Sequence, residues 1–149
     1  MPETKLLTAP LVIEYPFSRT TGPVVGAFLT GLREKVIVGS KTGDGRVLVP
    51  PMEYDPETNE PTSEMVEVGP GGTVTTYAWV TRPRPKDPVQ RPFAWALIRI
   101  DGAESALLHA VDAGDASAMS IGMRVEPRWR DEREGHITDL ECFVPEGSA

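Results

Sequence analysis

The sequence is short of the residues from which most active sites are built. Its 149 residues include one cysteine and two histidines. A lone Cys142 excludes an internal disulfide and fits a reducing compartment, so a cytoplasmic location is expected. No apolar run approaches the roughly 20 residues of a membrane span, and the N-terminus lacks a signal-peptide pattern, so no membrane association is expected. Positive charge is scarce as well: 15 Lys and Arg face 22 Asp and Glu, a net charge of −7. That balance opposes a general nucleic-acid binder, whose affinity rests on neutralising phosphates. The 15 prolines and 14 glycines scattered through the chain imply many turns and few long helices. With 40% apolar residues, the chain can still bury a core of its own.

What is present centres on residues 72–100, two β-patterned runs around a proline-rich segment. In the first, 73–81, strict alternation places Val74, Thr76, Ala78 and Val80 on one face, with Tyr77 and Trp79 on the other. The second, 93–100, is apolar on both faces except at Arg99, as expected for a strand buried on most of its surface. Between them Pro83, Pro85 and Pro88 cannot donate ladder hydrogen bonds, so 82–88 must be a loop.

Upstream, residues 1–22 form an extended arm with two broken apolar runs, Leu6 and Leu7 and then 11–13. Thr21 is a possible N-cap and Pro23 opens a short amphipathic helix, 23–33, with Val24, Ala27, Phe28 and Leu32 as its stripe. A glycine-rich turn at 41–45 joins β-runs 35–40 and 46–49 into a hairpin. The acidic, proline-containing stretch 52–63 reads as a surface loop, and 64–68 as a short strand. Downstream, 104–111 is a strand, 112–121 a short helix capped by Asp115, and 123–130 a cleanly alternating strand that Pro127 places at an edge or bulge. Residues 136–144 complete five strands, and 146–149 are a tail. Five strands with a helix between the third and fourth match an OB-fold. The expected fold is therefore mainly β: a five-stranded OB-fold barrel at 71–145, preceded by a helix and hairpin at 23–70.

Several short motifs carry the order of these parts. They are Gly31 and Leu32 closing the helix; Gly45, Arg46 and Val47 followed by Pro50 and Pro51; and 72–81 followed by Arg82 and Pro83. Residues 92–100, Leu107, Leu108 and His109, then 122–125 and the ending Phe143, Val144, Pro145 continue the series. In that order the chain resembles, over roughly 22–145, a family of acyl-CoA-associated proteins built from an N-terminal helix, a rubredoxin-like zinc ribbon and an OB-fold. Members of that family are non-catalytic companions of thiolase-fold enzymes, including a sterol-carrier-type thiolase that acts as an aldolase in steroid side-chain degradation. The resemblance implies a non-enzymatic subunit of a hetero-oligomer that supports a thiolase-like partner's acyl-CoA site. It implies no cofactor bound by this chain alone, with a CoA thioester possible in the complex. Where the family's ribbon places four zinc cysteines, this chain has Lys41, Asp44, Asp55 and Thr58. One ammonium, two carboxylates and a hydroxyl are not a structural zinc set, so a metal-free ribbon is expected.

No catalytic residue is nominated. His109 and Cys142 fall in strand patterns among apolar neighbours, and the simpler reading for both is burial. Ser40 and Ser120 lack a nucleophile-elbow context, and Gly69 to Gly72 lack a phosphate-loop pattern. Glu53, Asp55 and Glu57 match no calcium loop and read as a solvated acidic stretch. Arg82, Arg84 and Arg91, with Lys86, form the one concentrated basic patch: either a solvated loop tip or a contact for a CoA phosphate or a partner's acid side chains. Leu11, Ile13, Phe28 and Leu32 are the expected partner interface, since arm and helix offer apolar surface beyond what a soluble monomer usually exposes. The rival classes are an OB-fold single-strand binder using Tyr77, Trp79, Trp95 and Trp129, a small independent hydrolase, and a partner of a hotdog-fold enoyl-CoA hydratase.

Overall fold

The computed structural model describes residues 5–148. After an arm without regular structure, helix α1 (Gly22–Arg33) begins at Thr21, whose side chain makes no capping bond. Strand β1 (Ile37–Lys41) then lies between β2 (Val47–Leu48) and β3 (Met65–Val68) in a three-stranded antiparallel sheet. The expected hairpin thus gains a third strand, which returns after the acidic loop and pairs Ile37 with Val68 and Ser40 with Met65. Gly39 is required in β1, because a Cβ there would lie 2.7 Å from the Leu48 carbonyl oxygen.

Strands β4 (Gly72–Val80), β5 (Phe93–Ile100), β6 (Leu107–Val111), β7 (Arg124–Trp129) and β8 (Leu140–Pro145) form a closed barrel in the order β4-β5-β6-β8-β7. Neighbours are antiparallel except β6 and β8, which are parallel and share one register pair, Val111 with Phe143. This is the topology of an OB-fold. Pro127 sits beyond the β4 pairing, which involves only Arg124 and Val125 of β7, so its missing N–H costs no ladder bond on that side.

Three local expectations are corrected. The face assignment of β4 breaks at a bulge between Val74 and Thr76. One extra residue flips the alternation, so Val74 continues inward as Tyr77 and Trp79, while Thr75, Thr76 and Ala78 are exposed. The helix expected at 112–121 is a single 3₁₀ turn, Ala116–Ala118, with Asp115 accepting from the Ser117 amide at 2.9 Å. Gly114, at φ 81°, and ion pairing of Asp112 leave too few residues for a longer helix. The strand expected from 136 starts at Leu140. Before it, Ile137–Asp139 forms a 3₁₀ turn in which the buried Asp139 accepts from the amides of Glu134, Gly135 and His136.

One core runs through both halves. Phe28, Leu32, Ile37 and Val49 cluster with Val74, Ile98, Ile100, Leu107, Leu140 and Phe143 of the barrel. Ser105 stitches the seam: its hydroxyl accepts from the Val49 amide at 2.7 Å and donates to the Val49 carbonyl at 2.9 Å. A second cluster of Val89, Phe93, Ala110, Cys142 and Val144 lies where the β4–β5 loop folds over the barrel.

Candidate functional site

The ribbon shows what stands between its two loops. Arg46 projects its guanidinium to Asp44 at 2.9 Å, Asp55 at 2.8 Å and Glu57 at 3.2 Å. Asp55 also accepts from the Glu57 amide, and its side chain is almost fully enclosed. The Thr42 hydroxyl first, and then Arg46, hold the Asp44 carboxyl down at about 2. The Glu57 amide, opposed by desolvation and helped by Arg46, lowers Asp55. Lys41 pairs with Glu64 at 3.0 Å, and the Thr58 hydroxyl accepts from the Glu60 amide. These residues do not fit a zinc ion: the carboxylates are saturated by a guanidinium, and soft donors are lacking. Among the described residues no group of three or more His, Cys, Asp or Glu converges to hold a metal.

The basic loop is less united than its composition suggests. Arg82 is exposed, and the Arg84 side chain, 80% exposed, makes only a long 3.4 Å contact to Asp87. Arg91 is not free for a ligand. It grips Asp112 with two bonds, 3.0 and 2.7 Å, and Arg128 adds a third at 3.1 Å. The Asp112 side chain is 1% exposed, and a carboxylate so buried needs its cations. The three arginines are therefore not one anion site.

Of the expected interface, the arm and the helix part company. Leu11 is 84% and Ile13 77% exposed, and Leu6, Leu7, Val12, Tyr15 and Phe17 are comparably bare. Phe28 and Leu32 are instead buried in the chain's own core, which corrects their place in a contact face. The stripe is real, but its partner is the barrel. The total exposed area is 9995 Å², whereas a compact monomer of this mass exposes about 7,500 Å². An arm lying on nothing accounts for such an excess.

His109 and Cys142 have no catalytic geometry. Burial pushes the Cys142 thiol up to about 11, against the lowering field of Arg128. Burial likewise pushes His109 down to about 4, against a backbone contact at Ala110. His109 packs edge-on to Phe143, and its Nδ1 has no hydrogen-bond partner. The other histidine, His136, caps the 3₁₀ turn before β8 through the Thr138 amide. His109 also borders a cavity of about 520 Å³ between β6, β8 and the β4–β5 loop, together with Lys86, Trp95, Leu108, Arg130 and Ile137. Sequence reasoning missed this cavity, whose walls come from five separated segments.

Comparison with known proteins agrees with this architecture. Residues 65–130 match the family model described as the ChsH2 C-terminal OB-fold domain. A DUF35-family protein of unknown function from Sulfolobus solfataricus superposes with a TM-score of 0.59 at 25% identity, covering 72% of this chain and 77% of that one. The structure of an Ltp2-ChsH2(DUF35) aldolase contains a chain of the same fold, with a TM-score of 0.60 at 19% identity, covering 85% of this chain and 98% of that one. No functionally curated protein matches. A closed five-stranded barrel, its preceding helix and ribbon, and the match over 65–130 converge: this stretch is similar to the ChsH2 C-terminal OB-fold domain, and the chain shares the fold of the DUF35 proteins.

Proposed function

We propose that this chain is an accessory subunit that docks on a thiolase-like acyl-CoA enzyme, an aldolase of steroid side-chain degradation, and supports its acyl-CoA site. The chemistry resides in the partner; the CoA thioester is bound in the complex rather than by this chain alone. The observation that carries the reading is the arm. Seven large apolar side chains between Leu6 and Phe17 are each at least 71% exposed, and a surface of that kind marks an interaction site. The match to a ChsH2-type domain and the likeness to a chain of the Ltp2-ChsH2(DUF35) aldolase support the choice of partner class. The placement of His109 and Cys142 agrees, since neither offers a charged acid–base pair or a thiolate near neutral pH.

The test is co-expression of the full chain with an Ltp2-type thiolase-fold enzyme, followed by size-exclusion chromatography and a retro-aldol assay. A stable complex is expected, with turnover that neither chain shows alone. The double variant Leu11→Asp with Ile13→Asp should leave the chain folded and weaken the complex at least tenfold. Burying one such side chain contributes about 1.5–3 kcal/mol, and about 1.4 kcal/mol is a factor of ten. A chain that stays monomeric beside the enzyme, or that cleaves the substrate unaided, refutes the proposal.

A further inference from the structure

We infer that the cavity between β6 and β8 is a binding site for a small amphipathic carboxylate, a compact apolar body carrying one negative charge. The site arises from the barrel's weakest seam. Because β6 and β8 share only the pair Val111 and Phe143, the strands lack cross-strand partners on the side of Leu108, His109, Leu140 and Glu141. The β4–β5 loop roofs that side. Asp87 accepts from the Arg84 amide at 2.8 Å, Gln90 donates to the Asp87 carbonyl at 2.6 Å, and Val89 is buried beneath. The wall is thus built before any ligand arrives, as binding pockets of about 300–1,000 Å³ usually are.

The lining specifies the ligand. Trp95 is half-buried, and Leu108 and Ile137 are 60% and 38% exposed, so the cavity offers apolar area that the chain leaves uncovered. His109 is 6% exposed, yet its Nδ1 has no partner. A buried polar atom left unsatisfied is rare, and the ring that carries it lines the open cavity, where it reports on what enters. The charges are unbalanced too. Of the two carboxylates at the cavity, Asp87 is engaged by Arg84, and Glu141 accepts from Arg128 at 2.8 Å. Lys86 and Arg130 are exposed at the rim with no carboxylate partner among the described residues. Two exposed cations above an apolar floor that includes the His109 ring match a carboxylate on a ring-sized apolar body.

This site stands apart from the docking of the arm, and its test needs the chain alone. The full chain is titrated with 2-naphthoate by calorimetry while the His109 ring is followed by NMR, with neutral 2-naphthamide as the comparison. Saturable binding below about 1 mM is expected, with a shift of the His109 ring resonances and at least tenfold weaker binding of the amide. Leu108→Asp, at an exposed position, should abolish binding without altering the far-UV spectrum. Lys86→Gln with Arg130→Gln should weaken naphthoate about tenfold and leave the amide unchanged. No heat and no His109 shift at about 5 mM naphthoate overturns the proposal. So does equal affinity for acid and amide, or binding that survives the Leu108 and the paired cation variants alike.

Discussion

Ser105→Ala is the sharpest probe of whether ribbon and barrel fold as one unit. The Ser105 hydroxyl both accepts from and donates to Val49, a residue with no exposed surface. Removing it strands one amide and one carbonyl where little water reaches. Each such group costs about 1–3 kcal/mol, so with partial relaxation a loss of roughly 2–4 kcal/mol is expected. At about 3 °C per kcal/mol for a chain of this length, the melting temperature should fall by roughly 6–12 °C. Thermal and urea unfolding followed by tryptophan fluorescence and far-UV circular dichroism will measure it. The three tryptophans, Trp79, Trp95 and Trp129, all lie in the barrel, whereas far-UV circular dichroism also reports α1, which lies outside it. A single coincident transition is expected in both proteins, because Phe28, Leu32 and Ile37 share a cluster with Ile98, Leu140 and Phe143. A variant within about 2 °C of the parent, or a ribbon that melts separately while the barrel signal holds, would refute the reasoning.

Three further outcomes are expected. Leu32→Asp places a charge at a fully buried position, so it should abolish soluble expression rather than only loosen a partner, and a folded Leu32→Asp chain would return that side chain to the interface. His109 titrates near 4 when folded but near 6.5 when unfolded, so the unfolded chain binds the extra proton between those values. Its stabilising contribution is full above about pH 6.5 and disappears as pH falls toward 4; His109→Gln should flatten that part of a stability–pH curve, and an unchanged slope would count against burial as its cause. Metal analysis of the purified chain should find well below one zinc per molecule, and Arg46→Ala should loosen the loops around Asp44 and Asp55, seen as faster amide exchange at Glu57 and Asn59. Stoichiometric zinc that survives mild chelation would contradict the fit of Arg46 between those carboxylates.

Much of the barrel is legible in the chain because its signals are local. Period-two alternation marks β7, a run apolar on both faces marks β5, and the prolines at 83, 85 and 88 mark the loop between β4 and β5. What escapes reading is whatever a distant segment decides. The bulge after Val74 depends on its pairing with β5, and nothing in the alternation of 73–81 announces it. Arg91 looks free until Asp112, in contact only through the fold, takes its guanidinium. The stripe of Phe28 and Leu32 declares that one face of α1 is buried, but not whether the covering surface belongs to another protein or to the same chain. The replacement of four cysteine positions was visible by resemblance, while the role of Arg46 required the two loops to be placed face to face. The cavity beside His109 draws on residues from Lys86 to Glu141, and no window of sequence contains it.

The bare arm also has a kinetic meaning. Residues 5–21 span roughly 55 Å when extended, more than the roughly 40 Å width of a compact domain of this size. A tether of that length can hold a second patch on its target far from where the barrel sits. Once one contact forms, the other becomes intramolecular, at an effective concentration set by the tether rather than by the cell. Release then requires both holds to let go within the same interval. A complex closed in this way exchanges its subunits slowly even when each hold is weak, so trimming the arm should act on residence time more than on the rate of first encounter.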